Sequence, residues 1–250
     1  MFQVISERVR QGFRTGKFPL EEPKLPPRFR GLPRFQGECP QGCRACEKLC
    51  PFGACRVENG KMVIDLGRCL FCADCPACPQ GHIAFSNDYR LAVRERQDFF
   101  YTNEKYPLAE PLEPARRKLF SHSLKLRQIS AGGCNACEAD CNVLTTLVFD
   151  LGRFGIQFVA SPRHADGILV TGPVTENMRS AVLTTYEAVP DPKVVIVVGA
   201  CAVSGGPFTH SPETRHGLES LLPVDLYIPG CPPHPYTILD GLLRLLGRRE

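Results

Sequence analysis

Cysteine spacing is the feature that most constrains what this chain can fold into. Fourteen cysteines occur among 250 residues, and nine of them lie between Cys39 and Cys78. The other five are Cys134, Cys137, Cys141, Cys201 and Cys231. The N-terminus carries charges where a secretion signal needs an apolar core, so we expect a reducing compartment and metal binding rather than disulfides. Sets of four thiolates bind zinc or iron–sulfur clusters.

Composition and charge describe the rest of the chain. Hydrophobic residues make up 43% and charged residues 22%, as in soluble globular proteins of one large or two small domains. No apolar run approaches the ~18 residues of a membrane span. Residues 1–35 hold eight Lys and Arg against three Asp and Glu, with five prolines. We expect an extended basic arm, either solvated or laid along an acidic partner subunit. Nucleic acid is not expected, because the body is nearly neutral and shows no base-reading motif.

The chain divides into four stretches. After the arm, residues 36–90 are rich in Cys, Pro and Gly and poor in large apolar side chains. We therefore expect this unit to need bound metal in order to fold. Residues 91–120 are a polar, partly helical linker. In residues 121–250, short apolar runs alternate with amphipathic segments, which predicts an α/β fold with a doubly wound parallel sheet. The expected strands are 124–129, 156–160, 168–171, 194–199 and 226–228. The expected helices are a stripe from 143 to 151, residues 175–189, and 238–246.

The first cysteine set consists of two runs. Residues 39–51 read C-x3-C-x2-C-x3-C-P and residues 69–79 read C-x2-C-x2-C-x2-C-P. Each is one residue away from the C-x2-C-x2-C-x3-C-P run of bacterial ferredoxins, in which the fourth cysteine ligates the other cluster. This stretch therefore resembles a two-cluster ferredoxin domain. The resemblance assigns one 4Fe–4S cluster to Cys39, Cys43, Cys46 and Cys78, and another to Cys69, Cys72, Cys75 and Cys50.

Departures from that pattern leave alternatives open. The missing residue between Cys75 and Cys78 shortens the reach of Cys78, so its ligand role is open. Zinc is the alternative metal, although four-cysteine zinc sites pair two C-x2-C knuckles rather than runs of four. Cys55 is a ninth cysteine where a ferredoxin has an apolar residue, and we expect it to be a small buried hydrophobic side chain.

The second cysteine set follows the expected strands. Cys134 and Cys137 come after the first of them, and Cys201 and Cys231 follow two later ones. The carboxyl ends of parallel strands share one edge of a sheet, where such folds bind ligands, so these thiols should converge. The preceding glycines allow backbone to approach a bulky cofactor closely: Gly133, Gly199 and Gly230. A thioredoxin-like redox pair is the alternative for C-x2-C, but it leaves two cysteines unexplained.

Five motifs add a resemblance over residues 121–250. They are Gly132-Gly-Cys-Asn-Ala-Cys-Glu138, Ser161-Pro-Arg-His-Ala-Asp166, Thr171-Gly-Pro-Val-Thr175, Gly199-Ala-Cys-Ala-Val-Ser-Gly-Gly206 and Pro229-Gly-Cys-Pro-Pro233. The stretch resembles the small subunit of complex I-related, membrane-bound group 4 nickel–iron hydrogenases of the formate hydrogenlyase type. These share their flavodoxin-like fold with the NADH–ubiquinone oxidoreductase (complex I) subunit that carries its terminal cluster.

That resemblance implies a third cluster. Cys134, Cys137, Cys201 and Cys231 would ligate a third 4Fe–4S cluster, proximal to a nickel–iron centre. The C-x2-C spacing of the first pair follows the hydrogenases, whereas the complex I subunit has two adjacent cysteines. The resemblance is therefore more specific to the hydrogenase branch.

The implied function is an oxidoreductase subunit that relays electrons through three 4Fe–4S clusters. One end of the relay is an external donor, either a ferredoxin or a formate-oxidising subunit. The other end is a nickel–iron site on a partner large subunit. Integral membrane subunits would hold the chain peripherally on the cytoplasmic side. The alternatives are a complex I-like subunit whose partner lacks nickel, and a zinc-stabilised interaction module.

Two residues near the third set carry further expectations. By the same resemblance, Glu138 passes protons from the site on the large subunit. Its alternative role is to cap the N-terminus of the helix with its acidic side chain. Cys141, one helical turn beyond Cys137, is expected to pack near the cluster.

Overall fold

The N-terminal half is a small α+β region. The computed structural model describes residues 2–36, 43–58, 61–72, 75 and 82–249. The helices of this half are α1 (Phe2–Gln11), α2 (Ala45–Leu49) and α3 (Pro114–Phe120). Its strands are β1 (Pro33–Phe35), β2 (Cys55–Glu58), β3 (Lys61–Asp65), β4 (Ile83–Phe85) and β5 (Phe100–Tyr101). β1 pairs antiparallel with β4, and β3 lies between β2 and β5 in a second antiparallel sheet.

The C-terminal half is built on a five-stranded parallel sheet. Its strands are β6 (Leu124–Ser130), β7 (Ile156–Phe158), β8 (Gly167–Thr171), β9 (Val194–Val198) and β10 (Leu226–Ile228). Its helices are α4 (Ala136–Val143), α5 (Glu176–Ala188), α6 (Ala200–Ser204) and α7 (Pro235–Leu245). The strand order is β10-β9-β8-β6-β7, the flavodoxin-like 2-1-3-4-5 order, which reverses direction between β6 and β8. The predicted fold class is confirmed.

The sequence of the central strands explains their burial. Every residue of β8 and β9 is buried, as expected for parallel strands covered by helices on both faces. α7 covers one face with an apolar surface that includes Ile238, Leu239 and Leu242, each completely buried. These buried strands hold the loops at their carboxyl ends on a rigid base.

The two halves are joined at well-defined contacts. Val93 and Tyr227, at β10, exchange two backbone hydrogen bonds of 3.0 and 2.9 Å. The hydroxyl of Ser204, in α6, donates a 3.0 Å hydrogen bond to the carbonyl oxygen of Gly67. The small α+β region therefore rests directly on the helix that carries Cys201.

The basic arm departs from the expected extended form. α1 precedes the prolines of the arm and contains no buried residue. Beyond it, Phe18 and Leu32 are buried at 4% and 8% exposure against the body of the chain. Arg153 donates hydrogen bonds of 2.7 and 2.8 Å to the carbonyl oxygens of Gly16 and Phe18. The part of the arm after α1 is thus neither a solvated tail nor wholly available to a partner.

The helix expected over 143–151 is also displaced. α4 ends at Val143, and Leu147 is 75% exposed. The hydroxyls of Thr145 and Thr146 donate to the carbonyl oxygens three residues earlier at 2.8 and 2.7 Å. Such local hydrogen bonds compete with helix continuation. Among the described residues, no helix is long and apolar enough to cross a membrane.

Candidate metal centre

Three loops at one edge of the parallel sheet bring four cysteines together. Cys134 lies between the end of β6 and the start of α4, and Cys137 is the second residue of α4. Cys201 lies in α6 after β9, and Cys231 follows β10. We call these four residues the sheet-edge thiols. The N–H of Ala200 donates a 2.8 Å hydrogen bond to the carbonyl oxygen of Gly230, the residue before Cys231. This hydrogen bond joins the second and third loops.

Gly199 joins the first loop to the second. Its φ of +93° and ψ of 152° belong to a region that only glycine adopts readily. A Cβ atom at this position would overlap the Sγ atom of Cys137. The backbone after β9 therefore lies directly against a sheet-edge thiol, and no larger residue fits without moving that sulfur.

The other two glycines predicted for the site also lie at close approaches. A Cβ on Gly133 would sit 3.0 Å from Oε1 of Glu138 and 3.2 Å from the Cα of Gly172. A Cβ on Gly230 would sit 2.5 Å from the Cα of Pro233. These glycines pack the loops tightly around the thiols, whereas Gly199 contacts a sulfur atom directly.

Burial, with added repulsion from neighbouring thiols, raises the pKa values of three sheet-edge thiols: Cys137, Cys201 and Cys231. Burial, with added repulsion from Cys231 and Cys134, raises the pKa of Cys201 to about 12. Burial and then the charge of Cys201 raise the pKa of Cys137 above its ordinary value. Burial and then Cys134 raise the pKa of Cys231. A bound cation would favour the thiolate form of these three thiols.

Solvent exposure is uneven across these four residues. Cys134 and Cys231 are exposed, and Cys137 and Cys201 are half-buried. The group therefore has an inner side against the protein and an outer side open to a neighbouring molecule.

Glu138 lies beside the sheet-edge thiols as a buried carboxylate at 6% exposure. Its Oε1 accepts hydrogen bonds from the hydroxyls of Ser130 at 2.6 Å and Thr171 at 2.7 Å. These two donors are register partners at the ends of β6 and β8. Its side chain is thus held by hydroxyls at the reversal point of the sheet, and sequence reasoning did not identify either partner.

A second group of thiols lies in the small α+β region. Burial raises the pKa of Cys69 to about 12, and repulsion from Cys75, Cys50 and Cys72 adds to this effect. The Sγ of Cys55 lies 3.6 Å from that of Cys75. In the cluster-free chain, interaction with the side chain of Cys55 lowers the pKa of Cys50 to about 5. We call these residues the five-thiol group: Cys50, Cys55, Cys69, Cys72 and Cys75.

Backbone amides also point at two sulfurs of the five-thiol group. Ala54 N–H donates to the Sγ of Cys50, and Phe71 N–H donates to the Sγ of Cys69, each at 3.3 Å. Such donors stabilise thiolates and tune iron–sulfur clusters.

The other ferredoxin-type set is described only in part. Cys46 is buried in α2 and Cys43 is half-buried just before it. Cys39 and Cys78 lie outside the described residues. Cys141 is completely buried on α4.

The donor chemistry of both groups fits a cubane cluster. Among the described residues, no set of three or more His, Cys, Asp or Glu side chains is arranged to hold a single metal ion. A 4Fe–4S cluster asks for a different arrangement, because its four cysteine sulfurs bind four separate iron atoms. The sheet-edge thiols supply four such sulfurs, and Gly199 gives the close backbone approach.

Comparison with known proteins adds to this geometry. The model of the family "NADH ubiquinone oxidoreductase, 20 Kd subunit" matches residues 134–245. The probable membrane-bound hydrogenase subunit mbhJ of Pyrococcus furiosus is 43% identical over 129 residues, which are 52% of this chain and 77% of that protein. The chain belongs to this oxidoreductase family. The resemblance expected from the motifs is confirmed.

Further relatives within the oxidoreductase family carry two kinds of name. Formate hydrogenlyase subunit 7 of Escherichia coli is 44% identical over 133 residues, 53% of this chain and 52% of that protein. An NADH-quinone oxidoreductase subunit of Citrifermentans bemidjiense is 48% identical over 114 residues, 45% of this chain and 66% of that protein. The chain therefore spans about half the length of the first of these two relatives.

Proposed function

We propose that this chain is the electron-transfer subunit of a nickel–iron hydrogenase complex. The observation that carries the proposal is the convergence of the sheet-edge thiols from three loops of the oxidoreductase-family fold. Two relatives named as hydrogenase or formate hydrogenlyase subunits support the hydrogenase assignment. When bound, 4Fe–4S clusters would supply one-electron carriers.

Three ligand sets follow from the proposal. The sheet-edge thiols hold one cluster. The second set lies within the five-thiol group and comprises Cys50, Cys69, Cys72 and Cys75. The third set is Cys39, Cys43, Cys46 and Cys78. In the same proposal, the chain divides into an arm (1–35), a ferredoxin-like domain (36–90), a linker (91–120) and a hydrogenase small-subunit-like domain (121–250).

The contact between the two halves supports a relay from the second set to the sheet-edge thiols. Gly67 is two residues from Cys69, and its hydrogen-bond partner Ser204 is one helical turn from Cys201. This route spans at most about 20 Å between the two cysteine Cα atoms. A cavity of about 490 Å³ is lined both by Phe71, between two ligands of the second set, and by Cys231.

The exposed side of the sheet-edge thiols supports a partner there. Cys134 and Cys231 are exposed, whereas the second set belongs to the small α+β region. We place the nickel–iron large subunit on this exposed side. A ferredoxin or a formate-oxidising subunit would deliver electrons at the ferredoxin-like domain. Integral membrane subunits would hold the complex at the cytoplasmic side of the membrane.

Glu138 is proposed to carry protons for the same reaction. It is buried beside the ligand Cys137, and the hydroxyls of Ser130 and Thr171 hold its carboxylate in place. A fixed, buried carboxylate can accept and release a proton without leaving its position. The hydroxyls could in turn extend the path by one hydrogen bond.

The test is isolation of the complex through a tag on this chain, in detergent and without oxygen. We expect nickel in the preparation and hydrogen-dependent reduction of a viologen dye. Cys201→Ser should abolish this reduction, whereas Cys141→Ala, a matched change at a buried cysteine outside the ligand sets, should retain it. Dye reduction that survives Cys201→Ser would refute the relay through the sheet-edge thiols.

A second candidate is a quinone-reducing, complex I-like subunit without a nickel partner. It is favoured by the 48% identity to a protein named as an NADH-quinone oxidoreductase subunit. The same preparation separates the two candidates. Iron–sulfur clusters without nickel and without hydrogen-dependent activity would favour the second.

A further inference from the structure

Cys55 is the one member of the five-thiol group that the proposed ligand sets leave over. It is 2% exposed and begins β2, where it pairs in register with Ile64 of β3. The N–H of Asp65 donates a 2.8 Å hydrogen bond to the carbonyl oxygen of Ala54, just before it. The hairpin therefore fixes the position of the Cys55 side chain, as a functional group on a rigid element requires.

Its thiol points at sulfur rather than at the apolar core alone. The Sγ of Cys55 lies 3.6 Å from the Sγ of Cys75, within hydrogen-bonding distance for sulfur. Cys75 is a proposed ligand of the second cluster. A small hydrophobic side chain, as expected from the sequence, would not make this sulfur contact.

The number of ligand sulfurs indicates that Cys55 keeps its thiol proton. Four thiolates complete a 4Fe–4S cluster, and Cys50, Cys69, Cys72 and Cys75 already supply them. Cys55 then has no iron to bind and keeps its S–H. Since the sulfur of Cys75 would be a thiolate on the cluster, it can only accept a hydrogen bond, and the thiol of Cys55 is the donor.

We propose that Cys55 is a positioning residue that donates an S–H···S hydrogen bond to a ligand sulfur of the second cluster, Cys75, and thereby raises its reduction potential. The inference rests on the proposed function for the presence of that cluster. A donor to a ligand sulfur stabilises the reduced, more negative cluster more than the oxidised one. The amides of Ala54 and Phe71 donate to two other ligand sulfurs, Cys50 and Cys69, and Cys55 adds a donor at Cys75.

The test compares variants of the full chain, isolated without oxygen and titrated electrochemically while the reduced clusters are followed by electron paramagnetic resonance. Cys55→Ala removes the donor, and Cys55→Val removes it with a larger side chain suited to a strand in case the alanine variant does not fold. Cys55→Ser restores a donor of nearly the same size. Cys141→Ala is the control, because Cys141 is equally buried but lies outside the five-thiol group.

We expect all variants to keep the iron content of the parent chain. In Cys55→Ala and Cys55→Val, the reduced-to-oxidised ratio of one cluster at a fixed potential should fall about threefold to tenfold, the value of one hydrogen bond. A tenfold fall corresponds to a midpoint lowered by about 59 mV. Cys55→Ser should stay near the parent value, and Cys141→Ala should not move this midpoint.

Two results would overturn the inference. Unchanged midpoints in both Cys55→Ala and Cys55→Val would show that Cys55 donates no hydrogen bond that raises the reduction potential of the cluster. Loss of about four iron atoms from these variants, with Cys55→Ser also depleted, would make Cys55 a ligand instead of a donor. A parent chain without iron would refute this inference and the proposed function together. A parent chain with clusters but no nickel partner would refute only the hydrogenase assignment.

Discussion

Replacing Gly199 with alanine is the sharpest perturbation of the sheet-edge thiols. The backbone at Gly199, with φ +93° and ψ 152°, lies in a region essentially restricted to glycine. A residue with a Cβ held there costs about 1–3 kcal/mol. The new Cβ would also overlap the Sγ of Cys137. We expect the Cys137 side chain to rotate to relieve this overlap, which moves its sulfur from its place beside the other thiols.

We therefore expect Gly199→Ala to fold and to lose one cluster. In the cluster-free state, its free energy of unfolding should fall by about 1–3 kcal/mol in urea titrations. In protein isolated without oxygen, about four iron atoms and four sulfides should be missing per chain. The visible absorbance of the remaining clusters should persist.

Gly152→Ala is the matched control. Its new Cβ would meet nothing closer than Oδ1 of Asp150 at 3.9 Å, and Gly152 lies in an exposed turn of 3₁₀ helix. This variant should match the parent chain in both stability and iron content. If Gly199→Ala also retained the full iron content and its stability stayed within about 0.5 kcal/mol of the parent, the account of Cys137 as a ligand held against Gly199 would be wrong.

Three further predictions concern pH, proton transfer and stability. In the cluster-free chain the pKa of Cys201 is raised from 9.0 to about 12, so its contribution to stability is complete below about pH 9 and is lost as the pH rises toward 12. Between pH 9 and pH 12, the urea midpoint of unfolding should therefore fall less in Cys201→Ala than in the parent chain. An equal fall in both chains would contradict this expectation. Glu138→Gln should slow hydrogen turnover at least about tenfold with unchanged iron content, and unaltered turnover would remove its proposed role. Asp240 is completely buried and forms ion pairs with Arg244 at 2.8 Å and Arg249 at 3.1 Å. Asp240→Ala should therefore lower the free energy of unfolding by about 3–5 kcal/mol. A loss below about 1 kcal/mol would show that the two guanidinium groups find other partners.

Much of the parallel sheet could be predicted because its strands are short, apolar and β-branched. Val194–Val198 and Leu226–Ile228 match the expected runs closely. Local chain direction then puts whatever follows each strand at one edge, which is why the convergence of four distant cysteines was predictable. The helix α7 was predictable for a similar reason, since its apolar residues recur at helical spacing.

What could not be predicted depends on contacts between distant residues. Ser130 and Thr171 meet Glu138 only because the register of β6 against β8 places them opposite each other. Cys55 reaches Cys75 only because the hairpin of β2 and β3 turns it inward. The helix predicted from the apolar stripe over 143–151 was wrong. Threonine hydroxyls and a left-handed Asp150, at φ 47°, redirect the chain after Val143.

We propose that cysteine sulfurs from separate parts of the chain hold iron–sulfur clusters. Iron and acid-labile sulfide, measured per chain in protein isolated without oxygen, test this proposal. We expect about twelve of each and a broad brown absorbance. A chain that contains zinc without iron, or no metal at all, would contradict it.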